Sequence, residues 1–302
     1  MRIISLIASA TEIICKLGFE KQLVGRSHEC DFPATITCLP KCSSPKIDVS
    51  ASSFEIDRQV KDVVRKSLSV YNVDTEKLRE LDPDVIVTQD HCEVCAVNLK
   101  DVEKAVCDWL DKKPRIVSLR PNNLSDIWLD IKNVAQALGV PVLGDELVST
   151  MINRMTAISN KAKSLDRQPS VACIEWLEPL MAAGNWIPEL VAMLGANDLF
   201  GQPGVHSPWL NWETFVDKDP DYIITMPCGW GLERSRRELS AITTKPDWEK
   251  LKAVKNSNVY LTDGNQFFNR PSPRLVESME ILAEILYPED FSFDHTLSWK
   301  RL

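Results

Sequence analysis

Asp74-Thr75-Glu76-Lys77-Leu78-Arg79-Glu80-Leu81-Asp82-Pro83-Asp84-Val85-Ile86-Val87-Thr88 reads as a short capped helix, an Asp-Pro-Asp turn and a buried strand. The same order returns far downstream as Asn211-Trp212-Glu213-Thr214-Phe215-Val216-Asp217-Lys218-Asp219-Pro220-Asp221-Tyr222-Ile223-Ile224-Thr225. Asp and Asn open helices because their side-chain oxygens accept from unpaired first-turn amides. Proline after the first Asp of the turn cannot continue the helix. Each copy runs into a loop holding cysteine, Cys92 after the first and Cys228 after the second. A supersecondary unit used twice at such separation implies two similar lobes, whereas tandem arrays repeat every ~20–50 residues. Two lobes facing one another enclose a cleft, where ligands bind.

Around the first copy, short apolar runs alternate with helical patterns, the signature of α/β layering on a parallel sheet. Strands are expected at Arg2–Ile7, Gln22–Gly25, Val85–Thr88 and Arg115–Ser118, with a surface loop over Cys38–Ser53. Apolar residues at Leu124, Ile127, Trp128, Ile131, Val134, Ala135 and Leu138 keep a helical period, broken by Gly139-Val140-Pro141. A second helix is expected from about Asp145 to Leu165. The α/β pattern then restarts with strands at Ser170–Trp176, Tyr222–Thr225 and Val259–Thr262. A last helix opens at Ser272-Pro273, with Ser272 as its cap and Leu275, Val276, Met279, Leu282, Ile285 and Leu286 as its buried stripe. The division expected is an N-terminal α/β lobe (1–122), a helical connector (123–168) and a C-terminal α/β lobe (169–302).

The chain has 302 residues, 44% hydrophobic and 26% charged, ordinary for a globular protein of two domains. A formal charge of −8 without Lys/Arg runs argues against a nucleic-acid binder. No apolar stretch reaches the ~18–20 residues that span a bilayer, so no membrane insertion is expected. Met1–Ala10 could pass for a short signal peptide, but Ser9-Ala10-Thr11-Glu12 has the form of a capping box following a core strand. The strand reading places the chain's start inside the fold, with no export segment. Nine cysteines, an odd number spread over both halves, also favour a reducing compartment. A cytoplasmic monomer is the expectation.

In parallel α/β sheets, ligands bind beyond the carboxyl ends of the strands. In the first lobe those ends carry Ser9, then Arg26-Ser27-His28-Glu29-Cys30, then Asp90-His91-Cys92-Glu93-Val94-Cys95, then Arg120. In the second they carry Trp176, then Cys228-Gly229-Trp230, then Phe267-Phe268-Asn269-Arg270. Cys92-x-x-Cys95, with His28, Cys30 and His91, could ligate zinc or an iron–sulfur cluster; a redox dithiol or two plain reduced cysteines are the other readings. Trp176, Trp186 and Trp230 suit a large planar ligand such as a corrin, a porphyrin or a purine, while Trp212 suits packing. Arg26, Arg120, Arg270 and Arg274 could hold a carboxylate or phosphate. Glu76 and Glu213 occupy matching first-turn positions, where the helix dipole favours an acid.

In order and spacing, Ile3-Ile4-Ser5-Leu6…Ala10-Thr11-Glu12-Ile13, Glu76…Asp82-Pro83-Asp84-Val85-Ile86, Ser207-Pro208-Trp209…Glu213 and Arg270-Pro271-Ser272-Pro273-Arg274-Leu275 resemble the substrate-binding proteins of iron-siderophore and vitamin B12 ABC importers. The resemblance covers roughly residues 1–287 and is nearest to the periplasmic B12-binding proteins. It implies two Rossmann-like lobes joined by a long helix, ligand held between them, and one glutamate per lobe docking on a permease; Glu76 and Glu213 match those positions. The chain departs from the B12 binders at His28-Glu29-Cys30 and Cys92-Glu93-Val94-Cys95, and Val70-Tyr71 replaces a tryptophan. No Walker, GxGxxG, metallohydrolase or Ser-His-Asp pattern points to an enzyme. The leading expectation is a binding protein for a cobalamin-like or other metal-chelate ligand (corrin, haem or siderophore). The alternative is a cytoplasmic metal-handling protein or enzyme using zinc or iron at His28, Cys30, Cys92 and Cys95.

Overall fold

A computed structural model describes residues 1–65, 70–90, 102–103 and 113–302. His91, Cys92, Glu93 and Cys95 lie outside the described residues. The chain divides into two compact units: residues 1–51, 55–121 and 125–150, and residues 52–54, 122–124 and 151–302.

The first unit contains β1 (Ile3–Ser5), α1 (Ala8–Lys16), β2 (Leu23–Arg26), β3 (Ser43–Pro45), most of α2 (Ser53–Arg65), β4 (Tyr71–Val73), α3 (Thr75–Glu80), β5 (Val85–Gln89), β6 (Arg115–Leu119) and α4 (Leu124–Ala137). Its main sheet is parallel throughout, in the order β2-β1-β5-β6. Strands buried on both faces read as continuous apolar runs, as Ile3-Ile4 and Val85-Ile86-Val87 do. Helix α5 (Pro141–Lys163) begins in the first unit and ends in the second.

The second unit contains β7 (Ser170–Trp176), β8 (Met181–Ala182), α6 (Ile187–Met193), β9 (Asn197–Asp198), α7 (Trp212–Lys218), β10 (Tyr222–Thr225), α8 (Leu232–Glu238), α9 (Ser240–Thr243), α10 (Lys252–Lys255), β11 (Val259–Thr262), α11 (Leu275–Leu286) and β12 (Trp299–Arg301). Its sheet runs β12-β11-β10-β7-β8, with β9 also pairing β7. Strands β7, β10 and β11 are parallel, and β8 and β12 run against their neighbours.

The repeated stretch occupies the same station in both sheets. Strand β5 lies between β1 and β6, and β10 lies between β7 and β11. Asp74 caps α3 by accepting from the Lys77 amide at 2.9 Å, and Asn211 caps α7 by accepting from the Glu213 amide at 2.8 Å. Asp82 and Asp219 both adopt left-handed backbone, φ 39° and 43°, a conformation that Asp tolerates better than most residues. The second aspartate of each turn then ties it to the first strand of its own sheet. Asp84 Oδ2 accepts from the Arg2 amide at 2.7 Å; Asp221 Oδ2 accepts from the Ser170 amide at 2.9 Å and hydroxyl at 2.6 Å. Burial pushes the Asp221 carboxyl up, but the Ser170 hydrogen bonds and Lys252 outweigh it and hold the group below its usual value.

Several local expectations differ from the structure. The loop over residues 38–53 contributes β3, which pairs with β4, and the tail contributes β12. Three-residue strands are too short to show a period. The capping box at Ser9 does not form: α1 starts at Ala8 with Ile7 as its cap, and Ser9 Oγ is buried with no hydrogen-bond partner among the described residues. Gly139-Val140-Pro141 does separate two helices, but the second, α5, opens at Pro141 rather than near Asp145, since a first-turn proline loses no helical hydrogen bond. Ser272 precedes the cap of α11, which is Arg274; its hydroxyl accepts from the Arg274 amide at 3.2 Å. The stripe expected on α11 is buried, and so are Glu280 and Glu284. Glu280 meets Arg154 Nε at 2.9 Å and His295 Nε2 at 2.9 Å, and Glu284 accepts from Trp299 Nε1 at 3.2 Å. These contacts fasten the tail to α11.

Candidate functional site

At the carboxyl edge of the first sheet, β2 ends at Arg26 and turns into Ser27-His28-Glu29-Cys30. Arg26 is buried and donates to the carbonyls of Ser27 (3.1 Å), Cys30 (2.9 Å) and Thr37 (2.7 Å). Its guanidinium therefore staples the loop, a correction to its expected role as a ligand-holding arm. Cys30 is fully buried as well, and its sulfur accepts from the Thr11 hydroxyl at 3.0 Å. That places it in a packed cluster with Thr11 and Ser5. Ser9, also buried, sits on the first turn of α1.

His28 instead points toward β3 and β4. Its Nδ1 lies 2.9 Å from Ser43 Oγ, which contacts Ser27 Oγ at 3.1 Å. Its ring packs against Tyr71 at 5.2 Å between centroids, and the Tyr71 hydroxyl donates to Glu29 Oε1 at 3.1 Å. Burial, reinforced by Lys41 and Arg26, lowers the imidazole to about 4, so the ring is neutral across ordinary pH. Farther along the edge, Asp90 pairs with the exposed Arg120 at 2.5 Å. The Arg120 amide donates to Asp130 Oδ2 at 3.0 Å; burial pushes that carboxyl up to about 7 despite this bond, with Asp126 adding to the shift.

The carboxyl edge of the second sheet is built from rings and guanidinium groups. Trp176, half-buried at the end of β7, packs on Trp230 with centroids 5.0 Å apart. Arg234 covers Trp230 at 4.2 Å from the ring centre, and Arg274 lies 5.3 Å from that of Phe267. Gly229, exposed and at φ 74°, makes the turn between Cys228 and Trp230 that a side chain would strain. Cys228 is half-buried there. An open recess of about 480 Å³ beside these loops is lined by Gly231, Arg234, Arg237, Asp263 and Lys300. A second, of about 390 Å³, lies at the opposite edge against Arg167, Asp221, Tyr222 and Tyr287.

Two aromatic residues expected to line the site are core instead. Trp186 is buried and donates its Nε1 to the Phe268 carbonyl at 2.7 Å, while Phe268 is fully buried. A φ of 63° at Phe268 turns its ring inward and leaves Phe267 half-buried nearer the surface. Arg270 is buried against Asn265 at 3.0 Å. Trp230 is largely covered by Trp176 and Arg234, which makes Trp176 the more exposed of the ring pair. Trp212 stacks on Phe215 at 5.2 Å, in keeping with packing. Tyr71, Ser27, Ser43 and the Glu175–Ser207 pair (2.8 Å) were not singled out as site residues from sequence. Strands β3 and β4 bring Ser43 and Tyr71 to the His28 loop, and in the second unit the end of β7 and a loop bring Glu175 to Ser207; no local pattern announces either.

Among the described residues, no group of three or more His, Cys, Asp or Glu side chains is arranged to hold a metal ion. No described helix is long and apolar enough to cross a membrane.

A family model described as periplasmic binding protein matches residues 3–265. An uncharacterized ABC transporter substrate-binding lipoprotein of Bacillus subtilis, YvrC, is 24% identical over 96% of this chain and 81% of its own length. The periplasmic vitamin B12 binding protein BtuF of Vibrio cholerae superposes with TM-score 0.68 at 20% identity, covering 94% of this chain and 96% of that one. A periplasmic haem-binding protein of Pseudomonas aeruginosa gives TM-score 0.74 at 16% identity over 100% of this chain and 99% of the other. These findings overturn the cytoplasmic expectation: the relatives are described as a lipoprotein or as periplasmic. The cysteine argument fails for a physical reason. Cys30, Cys42 and Cys173 are packed thiols, and burial pushes Cys15 and Cys42 up to about 12, so little reactive thiolate forms.

Proposed function

Because this chain belongs to the periplasmic binding protein family, we propose that it captures a cobalamin-like or other metal-chelate solute at its strand-end loops. The carrying observation is the Trp176–Trp230 pair with Arg234 laid over it, at the carboxyl edge of the second sheet. Aromatic faces supply broad apolar area at low conformational cost, and the neighbouring guanidinium groups suit carboxylate or amide edges of such a ligand. The relatives support this class: one is a vitamin B12 binder and another a haem binder, by their own descriptions.

The test is an absorbance titration with cobalamin, haem and a ferric siderophore. One of the three shifts its spectrum with low-micromolar affinity or better, and Trp176→Ala weakens that binding at least tenfold without changing the unfolding midpoint by more than a few degrees. A flat response to all three rejects the ligand class.

Glu76 and Glu213 are exposed on matched first turns of α3 and α7. The reading extends to these two carboxylates docking on an ABC permease, as the substrate-binding lipoprotein relative suggests. A Glu76→Lys, Glu213→Lys protein then keeps solute affinity but loses stimulation of the importer's ATPase. Unchanged stimulation sinks that extension.

A further inference from the structure

We propose that the tail, residues 288–302, is a movable wall of the solute site in the second unit, and that the charge on His295 sets how firmly this wall is held. The inference rests on the solute-binding reading above. The open recess of about 480 Å³ beside the aromatic edge is lined by Arg234 and Arg237 of α8 on one side and by Thr296, Leu297 and Lys300 of the tail on another. Arg234 is also the guanidinium laid over Trp230, so one side chain borders the recess and covers the ring pair. Leu297, 90% exposed, stands open at the tail's wall.

The tail is fastened on buried acid. Glu280 and Glu284, one turn apart on α11, are both buried. Glu284 accepts from the Trp299 indole at 3.2 Å and from the amides of Phe293 and His295, the last at 3.5 Å. Glu280 Oε1 meets the Arg154 guanidinium of α5 at 2.7 Å, and its Oε2 meets His295 Nε2 at 2.9 Å. Arg154 lies 3.6 Å from Glu277 as well, whose other oxygen is buried with no hydrogen-bond partner among the described residues. Three carboxylates thus meet one guanidinium, and Asp294 follows in the chain just before His295. Lys300 does not restore the balance, since it pairs with Glu233 at 3.6 Å. Acids one turn apart on a helix repel one another, and buried charge is costly unless it is paired. A second cation corrects the excess, and His295 is the residue placed to be that cation.

His295 also touches the site. Its ring meets Phe267 edge-on with centroids 6.3 Å apart, and Arg274 lies over Phe267 at 5.3 Å. The Ser298 amide donates to the His295 carbonyl at 2.8 Å, and the Ser298 carbonyl accepts from the Asp263 amide at 2.9 Å. Thr296 and Leu297 are therefore carried between two held points. Histidine changes charge between about pH 5 and 8. Imidazolium against Glu280 pins the tail at the lower end of that range. As pH rises, the neutral ring keeps at most a hydrogen bond, the tail loosens and the recess loses a wall. His295 is thus a positioning residue, acting on the solute through Phe267 and the tail.

The experiment follows hydrogen exchange of the solute-free protein from about pH 5.5 to 8, each rate divided by its intrinsic value, beside titrations with cyanocobalamin, haem and a ferric siderophore over the same range. Residues 293–299 lose protection at least threefold as pH rises, and affinity for the solute that binds falls at least threefold. His295→Gln, whose amide still donates to Glu280 but carries no charge, flattens both profiles. That variant also separates the device from Asp130 of the first unit, which titrates in the same window. Protection at 293–299 that is flat with pH in the unaltered protein, or that falls equally in His295→Gln, overturns the strap. Protection that changes while affinity does not overturns the tail's role as a wall of the site. If His295→Gln does not fold, Glu280→Gln takes its place and is read the same way. A protein that binds none of the three solutes loses the proposed function, and the exchange profile still decides whether the strap stands.

Discussion

At the end of β2 the chain presents an imidazole backed by two buried hydroxyls, beside a phenol bonded to a carboxylate; at the ends of β7 and β10 it presents two indoles under a guanidinium. Yet both edges grow from the same scaffold. Strands β5 and β10 hold the same place in their sheets, and their Asp-Pro-Asp turns anchor the first strand of each unit through one aspartate. The Asp-Pro-Asp turns at the amino ends of β5 and β10 keep their residues, while the residues that follow Thr88 and Thr225 at the carboxyl ends differ. Structure is maintained at the amino ends of the strands, while chemistry is assigned at the carboxyl ends.

Core truncation in the second unit gives the largest expected effect. Phe268→Ala removes a fully buried ring and costs ~3–5 kcal/mol, read as a lower urea midpoint. A cost under ~1 kcal/mol would return Phe268 to the ligand-lining role that the structure denies it.

The turn aspartates sharpen the comparison directly. Asp221→Ala leaves the Ser170 amide and hydroxyl without their acceptor, and Asp84→Ala leaves the Arg2 amide, so each costs on the order of 1–3 kcal/mol, Asp221 more. Because hydrogen bonds hold the folded Asp221 carboxyl below its unfolded value, its stabilisation is complete above the unfolded pKa. It is lost as pH falls through the lower, folded value. Equal, negligible losses in both variants would break the structural equivalence of the two turns.

The smallest expected effect belongs to the first unit, where two shifted groups oppose one another. The folded His28 ring titrates at about 4 and the unfolded ring near ~6.5, so His28 makes stability rise with pH across that window. Asp130 titrates at about 7 when folded and near ~3.9 when unfolded, so it makes stability fall over an overlapping window. The unaltered protein should therefore show a flatter urea-midpoint profile between pH 4 and 6.5 than either single variant. His28→Asn tilts the profile downward with pH and Asp130→Asn tilts it upward. Identical slopes in all three would remove the shifts as their cause.

The repeat was readable from residues 74–88 and 211–225 because capping and the Asp-Pro-Asp turn are local chemistry. So was the apolar stripe of α11. The aromatic edge was readable only in part. Trp176, Trp230 and Phe267 reach it, but a left-handed φ at Phe268 and a hydrogen bond from Trp186 draw both of those rings into the core. Nothing in the order of residues 265–270 discloses that turn. Arg26 was misjudged for a related reason: its partners are carbonyls of the loop it staples, and carbonyls carry no side-chain signal. Tyr71 comes beside Glu29 only because β4 pairs with β3 within a stretch that reads as irregular.

Hydrogen–deuterium exchange with and without a saturating tetrapyrrole or siderophore tests most directly which ends of the strands do the binding. Protection should appear in residues 228–231 and leave the turns at 82–84 and 219–221 unchanged. Protection confined to those turns, with the carboxyl-end loops exchanging as before, would contradict the account.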